Sequence, residues 1–157
     1  MKRFGLAFAA CVLLSTAAMA NMPPPQITAR DEANDVVTAF MENFNAGNLE
    51  GIASTYSDDG NFVWVENGRI IADNKAAAVE ANGRMPKGVR MEVVDHVRLI
   101  LIGTSAAEAV VPFTFFVKDD KGVESEAFQG VMTLAVAPDS DGTWRIVAGH
   151  MSSSGRQ

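Results

Sequence analysis

The sequence predicts an α+β domain in which helices come first and an antiparallel sheet follows. Three observations carry this. Apolar residues from Ala33 to Phe44 recur at helical spacing. From Val89 onward, long runs alternate between two faces and are separated by short polar turns. Between these regions, Asn67-Gly68 joins two short strand-like runs, a strong hairpin signal.

The fold does not begin at Met1. Lys2 and Arg3 form a basic segment, Phe4 to Leu14 is mostly apolar, and Ala18-Met19-Ala20 is a small-residue cleavage signal. Residues 1–20 therefore read as a signal peptide, and the mature chain as periplasmic or secreted. The apolar run is too short for a membrane anchor. Cleavage removes the single cysteine, Cys11, so the exported domain has no disulfide and depends on its core. Residues 21–26, with Pro23-Pro24-Pro25, read as an extended lead-in.

The domain proper is expected over residues 27–153, with 154–157 as a tail. Thr28 is placed to cap a first helix carrying Ala33, Val36, Val37, Phe40, Met41 and Phe44, and Gly47 ends it. Asn48 is placed to cap a second, shorter helix through Leu49, Ile52, Ala53 and Tyr56. Asn61 to Glu66 and Arg69 to Ala72 form the hairpin. Asp73 is expected to cap a third helix that Gly83 closes.

Three long strands follow, at Val89 to Ile102, Ala107 to Lys118 and Val123 to Val136, and the stretch from Gly142 to Ser153, fed by the turn Asp139-Ser140-Asp141-Gly142, supplies a fourth. Short polar turns between sequential strands make an antiparallel meander. Strict alternation puts Trp144, Ile146, Ala148, His150 and Ser152 on one face of the last strand. It puts Arg145, Val147, Gly149, Met151 and Ser153 on the other.

Composition excludes several function classes. Loss of Lys2 and Arg3 takes the net charge from −6 to −8, which disfavours nucleic acid and anionic membranes as partners. No HExxH, clustered histidine or paired cysteine suggests a metal, no glycine-rich loop suggests a phosphate, and no G-x-S-x-G suggests a serine nucleophile. No cofactor is expected.

The order of these elements carries a resemblance. Phe40 with Phe44, Asn45-Ala46-Gly47-Asn48-Leu49, Tyr56-Ser57-Asp58-Asp59, the Asn67-Gly68 hairpin, and Trp144-Arg145-Ile146 followed by His150 resemble the nuclear transport factor 2-like superfamily, and within it the SnoaL-like (polyketide-cyclase-like) group. The resemblance implies a cone-shaped roll: three N-terminal helices packed on a curved, mainly antiparallel sheet, open at one end to a small apolar ligand. It also implies a homodimer through the opposite sheet face. Aligned on the ketosteroid isomerase branch, the oxyanion-donating tyrosine falls on Phe40 and the general-base aspartate on Trp64. A second donor acid falls near Phe128 to Gly130, where no acid is present. Phe cannot donate a hydrogen bond and Trp cannot abstract a proton, so that mechanism is not expected.

The candidate catalytic residues are His150 and Asp95. A histidine at a cone mouth would act as general acid or base, with Ser152 beside it. The bland alternative is a strand-end histidine satisfied by the backbone. Asp95 is the one acid on an otherwise apolar strand face and would orient His150 or hold a proton. A bulge in that strand would instead turn Asp95 out and His96 in. Phe40, Trp64, Phe113, Phe115, Phe128 and Ser152 are expected to line the pocket. Glu124 and Glu126 share a phase with Phe128, marking a wet strand end. The expected function is small-ligand binding. The alternatives are a cofactor-free lyase, isomerase or cyclase using His150, and a non-catalytic dimeric interaction module.

Overall fold

A computed structural model describes residues 24–154, with side chains from Thr28 onward. The signal-peptide reading lies outside the described residues, as do residues 155–157. Helix α1 spans Pro24–Ala46. It starts before the expected Thr28 cap, so the extended lead-in is corrected from Pro24 on. Prolines are tolerated there because first-turn N–H groups have no helical partner to lose. Gly47 closes the helix at φ 65°, donating to Phe44 O at 3.0 Å.

Helix α2 spans Leu49–Thr55 and is capped as expected, Asn48 accepting from Gly51 N at 3.1 Å. Strands β1 (Val63–Glu66) and β2 (Arg69–Ala72) form the hairpin. Both turn residues are left-handed, Asn67 at φ 46° and Gly68 at φ 78°, as a two-residue type I′ turn requires. Helix α3 spans Lys75–Gly83. Its cap is Asn74, not Asp73: Asn74 Oδ1 accepts from Ala77 N at 2.9 Å.

The expected strand Val89 to Ile102 is broken in two, β3 (Arg90–Val93) and β4 (Arg98–Ile102), both antiparallel to β5 (Ala106–Lys118). Val94 N donates to Pro112 O at 3.0 Å. The return bond cannot form, because Pro112 has no N–H. Four residues, Val94 to Val97, then arch over a two-residue span of β5. Strands β6 (Glu124–Pro138) and β7 (Trp144–Ser154) complete the sheet.

The strand order is β2-β1-β7-β6-β5-β3, with β4 also on β5. The meander holds from β5 to β7, but β1 joins β7 in parallel. This places β7 inside the sheet. The core lies between α1, through Ala33, Val37, Phe40 and Phe44, and the inner sheet face. That face carries Ala109, Val111 and Phe113 of β5, Met132, Leu134 and Val136 of β6, and Ile146 of β7. Each large side chain buried there contributes about 1.5–3 kcal/mol. No described helix is long and apolar enough to cross a membrane.

Besides an irregularity in the β1–β2 hairpin, two bulges reset the phase of the long strands. Phe115 pairs with Phe128 but Phe116 with Glu126, so Ala127 is the extra residue. Glu126 therefore stands on the outer face opposite Phe116, while Phe128 points inward. The shared phase of Glu124 and Glu126 with Phe128 is corrected accordingly. In the second bulge, Ala135 pairs with Ala148 and Val136 with Ile146, leaving Val147 unpaired. Trp144 and Ile146 keep the inner face, but beyond Val147 the inner residues are Gly149 and Met151.

Candidate functional site

The interior is organised by aromatic side chains. Phe40 and Phe44, four residues apart on α1, share one face, and their ring centroids lie 6.2 Å apart. Trp64 of β1 approaches Phe40 at 6.0 Å and Tyr56 at 6.1 Å. Phe115 of β5 approaches Phe44 at 5.8 Å. A two-residue strand period puts Glu66 on the same face as Trp64, and Trp64 Nε1 donates to Glu66 Oε1 at 2.9 Å.

Two further polar groups meet this wall. Asn82 of α3 donates through Nδ2 to the Tyr56 hydroxyl at 3.1 Å and to Ala78 O at 2.8 Å. Tyr56 is fully buried, and burial pushes its phenol above the ordinary range. The Asn82 bond opposes this and the charge of Glu66 adds to it. Asn45 mimics a ladder residue at the sheet edge: Met91 N donates to its Oδ1 at 2.8 Å and its Nδ2 donates to Met91 O at 2.9 Å.

Two spaces result. The inner chamber is walled by Phe40, Phe44, Trp64, Glu66, Met91 and Phe115 among others, and holds about 20 Å³, room for a single water-sized group. The outer groove runs between the α1–α2 corner, the end of α3 and the loop from Met85 to Val89. It holds about 450 Å³, within the range of small-molecule sites. Leu49, Ile52 and Val89 give it an apolar wall, and Asn45, Asn82 and Lys87 are among the groups that make about half of its lining polar. Phe44, Asn82 and Met85 border both spaces.

The sequence-predicted residues divide between interior and surface. Phe40, Trp64 and Phe115 line the inner chamber. Phe113 and Phe128 do not. Phe113 is fully buried, and Phe128 stacks on Phe115 at 4.8 Å. The aromatic cluster expected to enclose a ligand is mostly packed core, and the larger space lies outside it.

His150 sits on the outer sheet face, exposed, paired in register with Thr133 and Val65. Alternation predicted an inner position, and the Val147 bulge reverses it. Ser152 shares that outer face, and its hydroxyl donates to Val131 O at 3.4 Å. Asp95 and His96 are both exposed on the arch between β3 and β4. Asp95 Oδ1 meets His96 Nδ1 at 2.7 Å, and Oδ2 lies 3.8 Å from Arg98. Strands β5 and β6 separate this arch from β7, so the expected Asp95–His150 partnership does not form.

Sequence reasoning missed Glu66 and Asn82. The period-two offset from Trp64 marks Glu66. Asn82 stands four residues after Ala78 and three before Met85, on the buried face of α3. Among the described residues no three His, Cys, Asp or Glu side chains converge as a metal-binding set.

A second polar cluster is structural. Buried Asp139, in the β6–β7 turn, accepts from Ser57 Oγ at 2.5 Å, Asp58 N at 3.0 Å and Arg145 at 2.8 Å. Asp59 accepts from Ser140 N at 2.7 Å. The Ser57-Asp58-Asp59 motif thus ties the exit of α2 to the β6–β7 turn.

No protein-family model matches the chain, and no curated protein matches it significantly. Solved structures do. A nuclear transport factor 2 (NTF2-like) superfamily protein from Salmonella enterica serovar Typhimurium superposes with a TM-score of 0.70 at 14% identity, covering 83% of this chain and 94% of that one. An NTF2-like protein with a cystatin-like fold from Novosphingobium aromaticivorans gives 0.68 at 15% identity, covering 92% of each chain. A ketosteroid isomerase-like protein from Erwinia carotovora atroseptica gives 0.66 at 16% identity, covering 86% of this chain and all of that one. Three helices on one face of a mostly antiparallel sheet, with the hairpin carried on the last strand, give this chain the nuclear transport factor 2-like, cystatin-like fold.

Proposed function

We propose that the mature chain is an exported domain that binds a small, largely apolar molecule in the outer groove, without chemistry of its own. The observation that carries this is the groove itself. Its volume of about 450 Å³ sets an apolar wall of Phe44, Leu49, Ile52, Met85 and Val89 against about as much polar surface, and that volume lies within the range of small-molecule sites. The n-region, apolar run and Ala-Met-Ala of residues 1–20 support export. The name of the ketosteroid isomerase-like neighbour raises the catalytic alternative. Here Phe40 and Trp64 stand where that chemistry needs a donor and a base, and His150 faces outward. Exposed Ile100, Ile102 and Val131 on the outer sheet face support a homodimer through that face.

The test is chemical-shift mapping of the labelled mature protein with a set of small neutral apolar fragments. Shifts are expected at Phe44, Leu49, Asn82 and Met85. Leu49 is exposed at the groove wall, so Leu49→Arg leaves the core intact and is expected to weaken fragment binding by about tenfold, the equivalent of 1.4 kcal/mol. A groove that no fragment perturbs, or binding indifferent to Leu49→Arg, sinks the reading.

A further inference from the structure

We propose that the ligand is a small apolar amine: its hydrophobic body lies in the outer groove, and its ammonium enters the inner chamber opposite Glu66. The proposal rests on the ligand-binding reading above and adds the chemical class.

Size is the first argument. The chamber holds about 20 Å³, too little for a ring or a branched chain and enough for one water-sized head group. It shares Phe44, Asn82 and Met85 with the groove, so a head group passing between these three leaves its body outside. Met85 is the compliant part of that partition, being unbranched with three rotatable bonds.

Charge is the second argument. Glu66 is half-buried in an aromatic wall, and among the described residues no Lys, Arg or His side chain pairs with it. Its Oε1 takes the Trp64 indole N–H, which leaves Oε2 for another donor. The partly buried carboxylate thus keeps an open acceptor with no cation beside it, and an incoming ammonium would take it in a charge-assisted hydrogen bond.

The surrounding rings are the third argument. Phe40, Phe44, Trp64 and Phe115 all border the same chamber, and aromatic faces attract a cation that has shed its water. An anionic head group would meet Glu66 and these faces with repulsion. A neutral hydroxyl would gain the hydrogen bond but neither the ion pair nor the ring attraction.

The test compares three probes of one shape on the full mature chain: phenethylammonium, 2-phenylethanol and phenylacetate, titrated at neutral pH and followed by amide chemical shifts. The ammonium is expected to bind about tenfold or more tightly than the alcohol, in keeping with a hydrogen bond to a charged group, and phenylacetate most weakly. Glu66→Gln, which keeps an oxygen for the Trp64 N–H, is expected to bring the ammonium-to-alcohol ratio close to one. Should that variant fail to fold, salt discriminates instead: raising ionic strength from about 0.02 to 0.5 M weakens ammonium binding and leaves the alcohol unaffected. Equal affinity for ammonium and alcohol, or a preference that survives Glu66→Gln, overturns the amine assignment while leaving the groove as a binding site. If none of the three probes shifts Phe44, Asn82 or Met85, the ligand-binding reading fails and the amine falls with it.

Discussion

Gly149 of β7 lies directly beneath the indole of Trp64 on the neighbouring parallel strand. The two are register partners, and a Cβ on residue 149 would fall 2.2 Å from both Cε3 and Cζ3 of the ring. The missing side chain lets the indole lie against the sheet, with its N–H reaching Glu66 and its ring tilted 41° to that of Phe40. The bulge at Val147 brings Gly149, and not Ala148, beneath that ring.

Gly149→Ala is accordingly expected to destabilise the fold by about 1–3 kcal/mol, the usual range for overpacking. Trp64→Phe removes the ring atoms that a new methyl would strike. The double variant Gly149→Ala with Trp64→Phe should therefore lose less than the sum of the two single variants, read from thermal or urea melts. Strict additivity would show that the two residues do not press on each other.

Asp139 makes acid sensitivity predictable. Burial alone would raise its pKa, but the Ser57 hydroxyl, the Asp58 N–H and Arg145 together hold it below the ordinary carboxylate range. A depressed folded-state value contributes stability above the unfolded pKa of about 3.9 and loses it as pH falls through the folded value. Asp141, held near 2 mainly by Arg145, acts in the same direction but is exposed and counts for less. Asp139→Asn is expected to cost about 1–3 kcal/mol at neutral pH and to flatten the decline of stability below about pH 4. Urea midpoints across that range are the measurement, and parallel wild-type and variant curves would refute the assignment.

Tyr56 is the single tyrosine of the chain, so phenolate absorbance reports on it alone. Its raised folded-state pKa means that only the unfolded chain ionises near the ordinary phenol value of about 10. Stability is then complete below that pH and falls above it, as protons leave the unfolded state first. A pH titration should show no phenolate signal near pH 10. The signal should appear later and together with loss of far-ultraviolet ellipticity. A smooth titration near pH 10 in the folded protein would place the hydroxyl in water.

The outer sheet face bears on self-association. Ile100 is 52% and Ile102 56% exposed, and Val131 stands on β6 of the same face at 40%. Ile100→Asp with Val131→Asp is expected to convert the proposed homodimer to monomer in light scattering. Unfolding free energy, referred to the monomer, should move by no more than about 0.5 kcal/mol per site, as for surface changes. A wild-type chain that is monomeric at micromolar concentration rejects the dimer.

Helix capping by Asn48, the Asn67-Gly68 hairpin and the Asp139–Gly142 turn were legible because each depends on residues close in the chain. Their backbone demands (left-handed φ, side-chain caps) select particular residue types locally. The interior face of β5 was legible too, because Ala109, Val111, Phe113 and Phe115 keep unbroken alternation. The same rule failed between Trp144 and His150 and between Glu126 and Phe128, pairs that stand on opposite sides of a bulge. A single extra residue reverses every side chain that follows it. Asp95 failed for another reason: Pro112, distant in sequence, cannot return a hydrogen bond to the strand opposite it.

What the sequence by itself determined is the order of three helices and a sheet, and the apolar stripes that press them together. These follow from periodicity and turn chemistry, which act over a few residues. Only the tertiary structure decided which polar groups meet the interior. Glu66 and Asn82 reach it, and His150, Asp95 and Ser152 do not, because bulges, the proline-facing arch and the parallel union of β1 with β7 depend on how separate strands pair. Strand pairing is a long-range property, and no window of the chain contains both partners.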